Sequence, residues 1–205
     1  MAHESKIALV QVACGFSRQP VSVGDYGALS QVDHDRSEVL QRNFRPGNQV
    51  YVTGMVPYTV KHNDRTLANL NADVLIKRGI PKKDIHYVPG LNAFSESWNA
   101  CQMARESGME MIVVVSSAFY FVAYNRMWTA CGLRNGLKVE TFCVSHEVLV
   151  SQSVWDFYQG AKAQTLSKVA ASSNLGHRLA KTLADKMTAS RATEGFKIDG
   201  HTVIG

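Results

Sequence analysis

The run MEMIVVVSS at 109–117 constrains this chain more than any other stretch. Met111 to Val115 are all apolar, with no polar residue between them. A half-exposed strand alternates polar and apolar residues. A continuous apolar run of strand length is buried on both faces, as in a parallel sheet. Parallel neighbours need a long crossover between them, usually a helix. The rest of the chain supplies both parts. KIALVQVA (6–13), NQVYVTG (48–54), Ile85 to Val88 and LKVETFCV (137–144) read as further strands. Between them, DHDRSEVLQRNF (33–44) brings Val39, Leu40 and Phe44 to helical spacing. DRTLANLNADVLIKRG (64–79) does the same with Leu67, Leu70, Val74 and Leu75, with Asp64 placed to cap it and Gly79 to stop it. A third helix begins at Ser95 and closes at Gly108. A fourth is capped by Ser117 and ends at Gly132. The alternation predicts a three-layer α/β, Rossmann-like fold with a mostly parallel sheet of about five strands.

After Val144 the strand signals stop. Two helices are expected, over 151–173 and from Leu175 onward, with Leu175, Leu179 and Leu183 in one stripe. The reading divides the chain into an α/β ligand-binding domain over 1–148 and a helical C-terminal extension over 149–205, packed on the same domain. The closing ATEGFKIDGHTVIG is either a short edge strand or disordered.

Hydrophobic residues make up 45% of the chain and charged ones 19%, as in an ordinary globular protein. No apolar run has membrane-spanning length. The start lacks the basic, apolar, small-residue order of a secretion signal. The expectation is a cytoplasmic protein with no membrane partner. Cys14, Cys101, Cys131 and Cys143 are far apart and form no C-x-x-C pair, which argues for reduced thiols over zinc ligands. The Asp33-His34-Asp35 run reads as a helix start, and no metal is expected. From Lys162 to the end there are seven Lys or Arg against three Asp or Glu, so most of the formal charge of +5 sits there. Aromatic residues are not interleaved with these basic ones, which disfavours nucleic acid.

The phosphate loop, the G-x-G-x-x-G turn, the nucleophile elbow and H-E-x-x-H are all missing. What remains is polar residues at strand ends, where open α/β sheets bind ligands. Gly15, Ser17 and Arg18 follow the first strand, and Arg36 opens the next helix. Thr53 and Gly54 follow the second strand, and Ser116 and Ser117 end the fourth. Backbone N–H groups at helix starts attract anions, and an arginine binds them in a fork. Arg36 has the alternative of a surface ion pair, and Ser117 that of a plain helix cap. Glu96, on a first helical turn, serves as general base, as ribose-hydroxyl acceptor or as dipole compensation. Phe119, Tyr120, Phe121, Tyr124 and Trp128 read as core, with Tyr120 the exception facing the site. His146-Glu147 follows the last strand.

Four stretches in this order carry a resemblance: VTGM (52–55), ADVLIKRGIPKKDI (72–85), AFSESWNACQMA (93–104) and VVVSSAFYFVAYNRMWTACG (113–132). Over residues 6 to 144 the chain resembles the YdcF-, SanA- and ElyC-like proteins, whose domain is Rossmann-like and largely unassigned in function. The resemblance implies a nucleotide-like ligand, S-adenosylmethionine among the candidates. It also marks departures. Leu67 stands at the family's acidic position, and Ala93 to Ser97 keep only Glu96 of its N-T-x-E-N segment. Tyr120 replaces its histidine and Ala123 its arginine, with Arg126 nearby. An arginine like Arg36 is kept.

The combined reading is an enzyme acting on a small anionic or nucleotide-like ligand, with Glu96 and Tyr120 handling protons. The reaction stays open between transfer and hydrolysis. The alternative is a non-catalytic binding protein, its C-terminal helices forming a homodimer.

Overall fold

The computed structural model describes residues 6–13, 29, 31–54, 66–90, 92–144, 160–194, 196–198 and 201–203. Five strands form one sheet: β1 (Ile7–Gln11), β2 (Gln49–Val52), β3 (Ile85–Tyr87), β4 (Met111–Ser117) and β5 (Lys138–Val144). Every pairing is parallel, and the spatial order is β3-β2-β1-β4-β5. The order therefore reverses between β1 and β4. That is the switch point at whose carboxyl edge open α/β sheets bind ligands.

Six α-helices are described: α1 (Gln31–Asn43), α2 (Leu67–Lys77), α3 (Ala93–Glu106), α4 (Ala118–Arg134), α5 (Ala161–Ser172) and α6 (Asn174–Glu194). Alternation along β1 and β4 sorts them into two layers. Leu9, Val113 and Val115 face Leu40 of α1 and Ala68, Ala72 and Leu75 of α2. Ala8, Val10, Ile112 and Val114 face α3, α4, α5 and α6. The apolar run of β4 thus fills both cores, and each fully buried Val or Leu is worth about 2 kcal/mol.

The helix boundaries differ from the sequence expectations for local chemical reasons. Thr66 caps α2, its hydroxyl accepting from Asn69 N in a reciprocal capping box, while Asp64 lies outside the described residues. The buried face of α2 is Leu67, Ala68, Asn71, Ala72 and Leu75, so Leu70 and Val74 are only half-buried. The start of α3 is Ala93, because Asn92 accepts from the N–H groups of Phe94 and Ser95. In the second layer, α4 continues past Gly132 to Arg134. Gly132 lies against β5 there, where a Cβ would come 2.2 Å from Val139 Cγ2. The expected helix over 151–173 is described only over Ala161–Ser172. The tail pairs as an antiparallel hairpin, Phe196–Ile198 with His201–Val203. No described helix is long and apolar enough to cross a membrane.

Candidate functional site

Arg36 closes the gap at the switch point. It lies on the second turn of α1 and is fully buried. Its Nη1 donates to the Val12 carbonyl just past β1. Its Nε and Nη2 donate to Ser117 Oγ at the end of β4, at 3.1 and 2.9 Å. Asp33 Oδ1, itself buried, lies 3.9 Å from Nη1. The expected surface ion pair is therefore replaced by a buried strut across β1 and β4. The same contact explains why Ser117 stands at the N-cap of α4 without a side-chain cap bond: its oxygen accepts from Arg36.

Ser116 and Ser117 point to opposite faces, as neighbours on a strand must. Ser117 faces α1. Ser116 shares its face with Ile112 and Val114, which pack against Tyr120 and Tyr124 of α4. Ser116 is fully buried, and its hydroxyl has no hydrogen-bond partner among the described residues.

Glu96 belongs to this second face. It sits on the first turn of α3 with 8% of its surface exposed. Its Oε1 accepts from the Gly54 N–H at 2.8 Å, and the Thr53 side chain donates to the same carboxyl group. Thr53 is fixed in turn: its Oγ1 accepts from Ala13 N at 3.0 Å, and its N–H donates to Gln11 O at 3.2 Å. Two glycines make room. Gly54 has φ of 92°, and a Cβ there would fall 2.7 Å from Ala13 Cβ. A Cβ on Gly90 would fall 2.7 Å from Glu96 Cγ. Burial pushes the Glu96 carboxyl up to about 7, against the opposing pull of its bonds from Gly54 and Thr53. It can therefore gain and lose a proton near neutral pH.

Tyr120 is also buried, and its hydroxyl accepts from Trp128 Nε1 at 3.1 Å. Burial first, then the nearby Glu96 charge, hold its phenol well above the ordinary value, with Arg36 pulling the other way. Tyr120 therefore stays protonated near neutral pH, so its phenol is able to donate a hydrogen bond and is unsuited to act as a base. Tyr124, assigned from sequence to the core, packs against Tyr120 with ring centroids 4.8 Å apart and the rings tilted by 50°. Burial and Glu96 push its phenol up to about 12. Arg36, Ser116, Ser117, Thr53, Gly54, Glu96 and Tyr120 thus lie along one carboxyl edge, with Arg36 and Ser117 on one face and Glu96 and Tyr120 on the other. Gly15, Ser17 and Arg18 lie outside the described residues, as do Cys14, His146 and Glu147.

A polar cluster that sequence reasoning missed sits beneath Arg36. The fully buried Gln11 donates from Nε2 to Ser37 Oγ at 2.8 Å and to Asn71 Oδ1 at 2.6 Å, tying β1 to α1 and α2. The polar Gln11 inside KIALVQVA was its one sequence signal. Among the described residues no group of three His, Cys, Asp or Glu side chains could hold a metal ion. A cavity of about 360 Å³ lined by Gln102, Arg105, Glu106 and Asn135 lies at the last turns of α3 and α4. Glu106 is ten residues from Glu96, about 15 Å along the helix. That cavity is therefore no part of the carboxyl edge.

The fold and the strand order define a Rossmann-like α/β protein with additional C-terminal helices. No family model, curated protein or solved structure matches the chain.

Proposed function

We propose that the chain is a cytoplasmic enzyme that holds a small anionic or nucleotide-like ligand at the carboxyl edge of its sheet, with Glu96 moving the proton. The observation that carries this reading is the Glu96 carboxyl, buried beside the end of β2 on Gly54 N–H and the Thr53 side chain, where burial pushes it up to about 7. Buried acids poised near neutral pH are concentrated at functional sites. Tyr120 supplies a neutral donor beside it, and the Ser116 hydroxyl, without a partner among the described residues, a second one on the same face. Gly15, Ser17 and Arg18 would contact the anionic group. S-adenosylmethionine enters through the resemblance to the YdcF-like proteins.

One observation favours the second reading, a binding protein without catalysis. Arg36 spends its guanidinium on Val12 and Ser117 within the fold, and Tyr120 and Ala123 stand where the resembled family has histidine and arginine. Thermal-shift titration with S-adenosylmethionine, nucleotides, sugar phosphates and amino acids tests both. A ligand at a hundred times its Kd stabilises by about 2.7 kcal/mol. Glu96→Gln is then expected to keep that shift and lose turnover of the same compound. A wild-type level of turnover in Glu96→Gln removes Glu96 from the chemistry, and no shift with any compound class removes the ligand site.

A further inference from the structure

The outer face of α5 and α6 plays no part in the carboxyl edge. Leu175, Leu179 and Leu183 are 68%, 52% and 52% exposed. Their spacing of four sets them along one side of α6. Val169 of α5, 37% exposed, lies close to the first turn of α6, since a Cβ on Gly176 would fall 2.2 Å from the Val169 carbonyl oxygen. Among the described residues between 160 and 186 the exposed charges have one sign. Between 160 and 186 the exposed charged residues are Lys162, Lys168, Arg178 and Lys186. None of the four forms an ion pair among the described residues. The one acid in that span, Asp185, is half-buried and bonded to Lys181 at 2.8 Å and to Asn92 at 2.7 Å. Arg178 and Lys186 each follow a leucine by three residues, so both border the strip.

We propose that this face docks an acidic amphipathic helix of a partner protein. Its apolar side would cover Leu175, Leu179 and Leu183, and its carboxylates would meet Arg178 and Lys186. The strip spans nine residues, about 12 Å from the first leucine to the last, which matches two turns of a facing helix. Charge complementarity chooses the occupant. A second copy of the chain would bring the same uncompensated basic border against itself, and like-charge juxtaposition opposes such pairing. A lipid surface is favoured by several aromatic residues at the interface; among the described residues α5 and α6 carry no Phe, Tyr or Trp, and the half-buried Trp98 of α3 is covered by Arg178, 5.6 Å from its ring centroid. Single-stranded nucleic acid binding uses aromatic platforms, where this face offers leucines.

The probe is a synthetic helical peptide with leucine at every fourth position and glutamate beside it, titrated against the full chain by fluorescence anisotropy. Saturable binding is expected. Leu179→Asp is expected to weaken it tenfold or more, at a site exposed enough to leave the far-ultraviolet circular dichroism unchanged. The double variant Arg178→Glu, Lys186→Glu is expected to weaken it similarly and to gain binding of the same peptide with lysine in place of glutamate. The proposal is overturned by no saturable binding at millimolar peptide, or by binding indifferent to Leu179→Asp or to the charge reversal. Two other results overturn it as well. One is self-association of the wild-type chain that Leu179→Asp abolishes. The other is sedimentation with phosphatidylcholine–phosphatidylserine vesicles that Leu179→Asp abolishes.

Discussion

Glu96 shows how one side chain can couple stability to pH. Its carboxyl titrates at about 7 in the folded chain against an ordinary 4.5. The native state therefore binds this proton more tightly than the unfolded state does. The associated stability is fully present below about pH 4.5 and is lost as pH rises through about 7. The difference is on the order of 3 kcal/mol. Glu96→Gln keeps an oxygen to accept from Gly54 N–H and removes the titration. Urea unfolding across this range is expected to show the wild type losing stability as pH rises, and Glu96→Gln staying flatter and gaining on it at alkaline pH. Parallel pH curves for the two proteins would show that another group titrates. The position of Glu96 on a first helical turn was legible in the sequence. Its seat was not, because the groups that hold it, Thr53 and Gly54, lie more than forty residues earlier. Arg36 follows the same logic. Its type and place on α1 were readable, but its burial depends on Val12 and Ser117, which only the assembled sheet brings to it.

At the scale of elements, strands were more legible than helix ends. Apolar runs of strand length need no partner to be recognised, and all five strands fall within the expected stretches. A helix end is decided by competition among nearby polar groups. Asn92 caps the helix expected to begin at Ser95, and Thr66 takes the cap expected of Asp64, since each forms a reciprocal box with the residue three positions on. Gly132 misled differently. Glycine is enriched just past helix ends, yet this one is inside α4 because β5 comes too close for a side chain. At an exposed helical site Gly→Ala gains about 0.5–1 kcal/mol. Here Gly132→Ala drives a Cβ into the stiff Val139, and a net loss of about 1–3 kcal/mol is expected. Denaturation midpoints of Gly132→Ala, Val139→Ala and the pair test the cause. The pair should be more stable than the sum of the two single losses implies. Strict additivity would mean that the two positions do not meet.

For the whole molecule, the question is whether the C-terminal helices are an attachment or part of the core. The sequence predicted two helices after the last strand, packed on the same domain, without telling which of their residues enter its core. Ala163 and Ala170 of α5 and Ala180 and Ala184 of α6 are buried in the same apolar cluster as α3 and α4. Small residues permit that close approach. Polar contacts then lock it: His177, fully buried on α6, donates from Nε2 to the Phe94 carbonyl at 2.9 Å. Arg134 of α4 donates to Ala170 O at 2.8 Å, and Asn92, the cap of α3, donates to Asp185 at 2.7 Å. The cap of the helix that carries Glu96 is thus tied to α6. A chain ending at Val144 leaves the outer faces of α3 and α4 uncovered. The full chain is expected to unfold in one transition, coincident by near- and far-ultraviolet circular dichroism. The truncated chain should keep helical signal, lose its near-ultraviolet bands and bind a hydrophobic dye. If it instead unfolds cooperatively with the full-length midpoint, the helices add nothing to the core, and only their outer, leucine-bearing face has a claim on function.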